Sequence, residues 1–584
     1  MAAGANWRLF HVCHLGIPVD HNRSTEFIDA TWRPHMLAWL LLTLLVNALP
    51  LFTPILNEGD SVLYAALSQH MVLSGNWNDL MLDGRDWLDK PHFPFWLGAL
   101  SFKLFGVSVF AYMLPGYLFH LLGGYFTYRI ARLFHGRDTA LIAALVYAST
   151  YHLMYTTTAL KAEAFLTGSI MAACYYWLRY DADSRLKYVL LGALFSGISV
   201  MTKGVFTLIT ISSGLLCMWV YQGRWRELFR WKWQAALVLT AVCVAPELIA
   251  LYRQFDMHPE KTVFNQIGVS GIRFFLWDSQ FGRFFNVGPI TNTGGNKLFF
   301  VLAFLWAFLP WVAAFVLACW RVVRPVGEPD SSSRAQQVYL LGSFFVSFIM
   351  FSLTSFQLDY YTVIVYPFAA VLIAPWLLSV INDNGAKAVR RLQIGMAMLA
   401  LTLALWVIVR VGHPVLWTLA IAVASGLAAY MWLQRIRWHG VGAWVLPVVA
   451  VNFLYLSLEG MTLIAHTRYS IPHNVLSAMA NESLVPVVAY QLDPPVSYEL
   501  GLYRQTAPVL RVDKPDELPQ ANEAYFLLAR TSTAHTLAER FTTMDVVISG
   551  DWVDHKTGTL PRQIELAAGR APLENFSVYK VIPR

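Results

Sequence analysis

Directly after the first long apolar run of the chain stands NEGDSVLYAALSQHMVLSGNWNDLMLDGRDWLDKPHFPFW, residues 57–96, with six carboxylates at the edge of a membrane segment. Two of these acids stand in settings suited to chemistry. Asp60 opens a helical pattern in which Leu63, Leu67, His70 and Met71 share one face. Asp89 stands beside Lys90, and Pro91 stiffens the chain ahead of the aromatic FPFW. A fixed cation at a lipid interface is what a phosphate needs, and a nearby carboxylate can orient or deprotonate an attacking group. Asp79, Asp83 and Asp86 fall in a turn-rich strip and read as solvated loop charges. Further on, Lys161 and Glu163 open one apolar run, Lys203 ends another, Glu247 closes a third, and Asp359, Tyr360 and Tyr361 open a fourth. An unpaired carboxylate at the depth of Glu163 would cost roughly 2.5 to 3.5 kcal/mol, which marks it for function or for support of a functional residue. A lone Lys103 or Lys161 would instead snorkel toward headgroups.

These residues can act together only if the surrounding elements bring their ends to one face. With 57% hydrophobic and 14% charged residues in 584, and a mean hydropathy of +0.48, the chain is an integral membrane protein. About thirteen apolar runs approach the ~20 residues that a spanning helix needs, centred near residues 45, 118, 147, 170, 195, 213, 243, 309, 345, 371, 401, 423 and 452. The net charge of +7 does not point to nucleic acid, because Lys and Arg gather in every second short loop. Arg8, Arg23 and Arg33 begin this series, the groups at 129–137, 179–187, 224–232, 321–334 and 387–391 continue it, and Arg435 with Arg437 closes it. That alternation places the amino-terminal segment 1–35 in the cytoplasm and the carboxyl terminus outside. It also puts Asp60, Lys90, Glu163, Lys203, Glu247 and the Asp359–Tyr361 group on one external rim.

Residues 36–465 form the membrane domain, with two long external loops at 55–107 and 253–297. The second loop contains GVSGIRFFLWDSQFGRFF, where Arg273, Asp278 and Arg283 recur among aromatics, as in an amphipathic segment at the interface or a loop resting on the membrane. DAD at 181–183 falls in a cytoplasmic turn and reads as solvated. Residues 466–584 change to the composition of a small external α/β domain, with strand-like VPVVAYQ, PVLRV, AYFLLAR, MDVVISG and FSVYKV and helical TAHTLAERF. Cys13 lies in the leader and the other four cysteines in apolar runs, so no disulfide framework is expected.

Acids and cations on one rim beside long loops suit sugar transfer from a polyprenyl phosphate. That reaction needs a cavity open to the bilayer surface, cations for the departing phosphate, and a carboxylate for the acceptor. The rival class is a transporter or flippase of lipid-linked sugars, which tends to show internal repeats and charges at the bilayer midplane. A divalent metal shared by Asp60 and Glu163 stays open, with no His cluster to complete a site.

The stretches DSVLYAALSQHMVLSGNW, DKPHFPFWLGALSFKLFGVSVFAYMLPG, LKAEAFLTG, SGISVMTKG, FFLWDSQFGRFF and FSLTSFQLDYYTVIVYP carry a resemblance in order and spacing from about residue 55 to 370. They resemble the C-type glycosyltransferases that use polyprenyl-monophosphate sugars, and more narrowly the bacterial 4-amino-4-deoxy-L-arabinose lipid A transferases, relatives of the protein O-mannosyltransferases. The resemblance implies thirteen helices with a periplasmic carboxyl-terminal domain, in a bacterial inner membrane. It implies inverting transfer from undecaprenyl phosphate sugar to an envelope acceptor, such as lipid A, another glycolipid or glycan, or a protein. It makes Asp60 the first-loop catalytic aspartate, Glu163 the second acidic position, Lys90 the lysine that holds the donor phosphate, and Tyr361 the tyrosine of the motif opening the tenth helix. Family members often follow the aspartate with Glu, one more residue and a phosphate-binding Arg, whereas this chain has Ser61, Val62 and Leu63. Another cation, Lys203, Arg273 or Arg283, must then complete the phosphate site. Asp89, Glu247, Asp278, Asp359 and Tyr360 are the further site candidates, and the sugar is left open.

Overall fold

The computed structural model describes residues 32–54, 56, 59–156, 161–292, 295–324, 331–382, 387–434, 444–504, 509–520, 523–553 and 559–584. Arg8, Cys13, Arg23, Arg435 and Arg437 lie outside the described residues. After α1 (Trp32–Ala48), the first long loop folds into α2 (Gly59–Ser74), a short hairpin of β1 (Met81–Leu82) and β2 (Arg85–Asp86), and α3 (Phe93–Phe105). The hairpin turns on Asp83 and Gly84, both with positive φ (51° and 71°), the backbone that a two-residue Asp-Gly turn supplies. The bundle continues through α4 (Val109–Phe134), α5 (Arg137–Ala148), α6 (Tyr151–Tyr155), α7 (Ala162–Ala182), α8 (Leu186–Lys203), α9 (Thr207–Tyr221) and α10 (Trp231–Leu251). The second long loop holds β3 (Thr262–Val263), β4 (Gln266–Ile267), α11 (Gly271–Arg273) and α12 (Ser279–Phe285). Beyond it come α13 (Phe299–Ala307), α14 (Val312–Val323), α15 (Ser331–Leu353), α16 (Tyr366–Asn382), α17 (Lys387–Val411), α18 (Pro414–Gln434) and α19 (Leu446–Tyr469).

Each of the thirteen apolar runs falls on one of these helices or on the α13–α14 pair. Among the described residues, nine helical stretches are long and apolar enough to cross a bilayer, and α13 with α14, bent by 116°, makes a tenth. The other three runs fall on α5 and α9, of 12 and 15 residues, and on α7, whose 21 residues include Glu163, Arg179 and Asp181. α7 runs through the protein interior, buried from Glu163 to Asp181 at nearly every position, and its two carboxylates are paired, Glu163 with Lys203 and Asp181 with Arg224. A Cβ at Gly168 would lie 2.4 Å from the Phe119 carbonyl, so α4 and α7 approach this closely only because the position is glycine. Hydroxyls tie the neighbouring helices, Ser199 to Ser169 at 2.8 Å and Ser347 to Thr210 at 2.9 Å.

The five strand-like runs near the carboxyl terminus form one sheet of β5 (Val487–Tyr490), β6 (Val509–Val512), β7 (Tyr525–Arg530), β8 (Phe541–Trp552) and β9 (Glu574–Pro583). Its order is β6-β5-β7-β9-β8, parallel at β6-β5-β7 and antiparallel beyond. α20 (Ile471–Ala478), α21 (Pro494–Tyr503), α22 (Thr531–Thr536) and α23 (Leu560–Ala567) complete this domain. α23 packs on α19 and α17, where Glu565 meets Arg410 at 3.3 Å, and α21 packs on α2.

Three local expectations are corrected. His70 is exposed and does not share the packed face of Leu67 and Met71. Asp86 is not free in solvent, because Lys261 at 2.8 Å and Gln254 at 3.0 Å bind it and link the two long loops. Asp181 is buried and pairs with Arg224 at 2.9 Å, since a carboxylate in the last turn of an interior helix requires a fixed cation.

Candidate active site

Asp60 lies in the first turn of α2, where the free N–H groups of a helix start favour an anion, and its side is open to solvent. Its charge acts on Lys90, Tyr64 and Tyr360, which puts it in their neighbourhood. Lys90 is fixed by Asp89, whose carboxylate accepts from Lys90 Nζ and from Arg283 Nη2, each at 2.5 Å. Arg283 also donates to the Asp89 carbonyl at 2.9 Å, which draws α12 of the second loop onto the first. Burial alone would raise the Asp89 carboxyl, but Lys90 and Arg283 outweigh it and hold the group below the usual carboxylate range. Burial and the Arg283 charge push Lys90 below an ordinary lysine, against the opposing pull of Asp89 and Asp60.

The turn behind Lys90 is held from beneath by a completely buried pair. Glu247 near the end of α10 accepts from the His92 backbone N–H at 3.0 Å and lies 2.9 Å from His92 Nδ1, while His92 Nε2 lies 2.9 Å from the Asn78 carbonyl. A carboxylate with three contacts to one residue fixes both the backbone and the ring there, and Pro91 removes the remaining freedom.

The other half of the site comes from α7, α8 and the turn before α16. Glu163, 3% exposed, accepts from Lys203 Nζ at 2.6 Å, and the same ammonium sits 3.8 Å from the centre of the Tyr361 ring. Gly204 follows with φ 124°, and a Cβ there would lie 2.1 Å from Gln280 Nε2, which donates to the Lys203 carbonyl at 3.2 Å. Lys161 does not snorkel: it is buried between the rings of Tyr155 and Tyr360, at 5.0 and 4.9 Å. Lys203, Arg283 and Tyr361 line one cleft together with Thr207, Thr210, Ser279, Gln280 and Thr354 and the apolar Leu166, Phe206, Phe284, Met350, Phe351, Phe356 and Ile364.

The structure therefore gathers Asp60, Asp89, Lys90, Glu163, Lys203, Arg283, Tyr360 and Tyr361 around one space, with Glu247 beneath it. Arg273 and Asp278 are not gathered, for they face each other at 3.4 Å on the exposed side of the second loop. Asp359 is half-buried and its field reaches Tyr151 and Tyr366. Sequence reasoning missed His92, Gln280 and the tyrosine cage of Lys161, since each is defined by partners remote in the chain. A histidine directly after the Lys-Pro pair was the one local signal. Among the described residues no group of three or more His, Cys, Asp or Glu gathers as a metal site.

The whole architecture matches that of ArnT from Cupriavidus metallidurans, solved with undecaprenyl phosphate bound, at a TM-score of 0.69 and 17% identity, covering 94% of this chain and 98% of that one. This likeness is one of fold, the C-type fold of membrane glycosyltransferases. Within it, the family described as dolichyl-phosphate-mannose-protein mannosyltransferase matches residues 89–249. The undecaprenyl phosphate-alpha-4-amino-4-deoxy-L-arabinose arabinosyl transferase of Erwinia tasmaniensis is 26% identical over 472 residues, 78% of this chain and 79% of its own length. That of Edwardsiella ictaluri is 28% identical over 393 residues, 64% of this chain and 66% of its own length.

Proposed function

We propose that the protein transfers a sugar from undecaprenyl monophosphate to a cell-envelope glycolipid, such as lipid A, on the periplasmic face of a bacterial inner membrane. The observation that carries this reading is a cleft lined by Lys203, Arg283 and Tyr361 together with seven apolar side chains, with Lys90 joined to Arg283 through Asp89. An isoprenoid chain suits the apolar side chains, and a phosphate suits the cations beside them. The names of the two relatives, both undecaprenyl phosphate arabinosyl transferases, support the donor class.

In the mechanism that follows, the acceptor approaches from the Asp60 side and displaces the lipid phosphate at the anomeric carbon with inversion. Negative charge grows on the departing phosphate, where Lys90, Arg283 and Lys203 stabilise it. Glu163 orients Lys203, and Tyr361 holds the ammonium by its ring face. For a hydroxyl acceptor Asp60 acts as general base, a contribution of about 10² to 10⁴-fold; an acceptor phosphate is already anionic and needs chiefly positioning. Lys203 on Glu163 supplies the positive charge that a metal bridging Asp60 and Glu163 would bring, so transfer is expected to survive chelation, as measured by turnover with and without EDTA.

A second reading, transfer to protein, draws on the mannosyltransferase family match over 89–249. Mass spectrometry of lipid A, envelope glycans and envelope proteins from cells with and without the chain decides between them. A sugar mass gained on glycolipid is the expected result. Unchanged glycans with altered movement of a lipid-linked sugar would replace the transferase by a flippase.

A further inference from the structure

α21 of the carboxyl-terminal domain packs along α2, the helix that begins with Asp60. At about 100° per residue, Asp60, Tyr64, Leu67 and Met71 line one side of α2 and Val62, Ala65 and Gln69 the opposite side. The first side packs on the strip and helix that flank Lys90, with Leu67 and Met71 against Leu80 and Phe95. The opposite side carries Val62 and Ala65, which share one cluster with Phe102 of α3, Tyr112 and Met113 of α4 and the fully buried Leu502 of α21. There Gln69 Nε2 donates to the carbonyls of Gly501 and Leu502 at 3.2 and 3.3 Å. These lie in the last turn of α21, where a helix leaves its carbonyls without intrahelical partners. Gln69 thus caps a helix of the other domain. Tyr498, also on α21, donates to Asp83 at 2.8 Å in the hairpin of the same loop. α21 is itself anchored within its domain, because the Arg504 guanidinium donates to the carbonyls of Met479, Glu482, Ser483 and Val485 at 2.6 to 3.2 Å.

We infer that the carboxyl-terminal domain braces α2, and that Gln69 is a positioning residue for transfer: through α2 it sets Asp60, on the acceptor side, against Lys90, on the donor side. The inference rests on the assignment of Asp60 made under Proposed function. Gln69 points away from Asp60 on the helix, so its effect on the reaction is indirect.

Two full-length variants test it, Gln69→Ala, which removes the cap, and Gln69→Arg, which restores a donor to both carbonyls. Gln69→Ala is expected to lower turnover per folded molecule about tenfold or more, the scale on which a small misplacement acts, while the KM for donor stays within about twofold. Deuterium uptake across residues 59–74 should rise and that across 109–134 should not. Gln69→Arg should recover turnover. Normal turnover with unchanged exchange at 59–74 in Gln69→Ala would overturn the inference, and so would a loss that merely follows the folded fraction and is equal in both variants. Absence of transfer by the unaltered chain would count against the transferase reading instead, with the exchange measurement still testing the brace.

Discussion

On the proposed mechanism Asp60 serves the acceptor and Lys90 the departing phosphate, so their variants are expected to differ in kind. Asp60→Asn keeps the side chain's size and removes its charge, so turnover with a hydroxyl acceptor should fall by about 10² to 10⁴-fold while donor binding persists. Lys90→Ala should both slow transfer and raise the donor concentration needed, because the ammonium acts on the phosphate before and during its departure. Steady-state kinetics with donor varied separate the two, and near-normal turnover of Asp60→Asn would pass the base to Glu163. Since Lys90 loses its proton more readily than an ordinary lysine with its value of 10.5, donor affinity should weaken with rising pH before that value is reached. The sign follows from the charge: the protonated form binds phosphate, and alkali removes it. Glu163 drew notice in the sequence because a carboxylate at that depth is costly, whereas Asp60 and Lys90 drew it by their places at a helix start and before a proline. Arg283 could not be told from Arg273 in the same way. Both stand in one aromatic segment, and the wide helical turn over Phe274–Asp278 shifts the phase between them, which no spacing rule foresees.

At the level of elements, the site depends on the two long loops being locked to each other and to α10. The His92–Glu247 pair does this from below, Arg283–Asp89 from the side, and Asp86 with Gln254 and Lys261 at the outer edge. Glu247→Ala leaves the buried His92 and its backbone N–H without their acceptor, which should cost about 1 to 3 kcal/mol and lower the melting temperature of the purified protein. Donor KM should rise as well, since Lys90 is only two residues away; an unchanged melt with unchanged KM would remove Glu247 from the supporting set. The positions of the apolar runs were readable from hydropathy, and so were the five strands. The roles of α2 and α3 were not, because a loop helix packed on a bundle and a spanning helix differ in neighbours more than in composition.

For the molecule as a whole, the alternating basic loops lead us to expect positions 330 and 440, which lie outside the described residues, in the cytoplasm and 270 and 520 in the periplasm. Single cysteines at these positions, labelled with a membrane-impermeant reagent in intact and opened cells, check the arrangement, and cytoplasmic labelling at 270 would separate the second loop from the rim. Hydropathy can set such an arrangement but cannot show that the end of the chain returns to its beginning, since that contact joins surfaces of ordinary amphipathic pattern. The return has a consequence for how the enzyme is made. Gln69 and its partner Gly501 are 432 residues apart, and at about 5 to 20 residues per second a ribosome needs roughly 20 to 90 s to cover that distance. Through this interval Gln69 of the first loop is without its partners at Gly501 and Leu502. On the proposed brace, the acid assigned to the acceptor side comes into register only when the last segment docks, so chains terminated before residue 501 are expected to insert in the membrane without turnover.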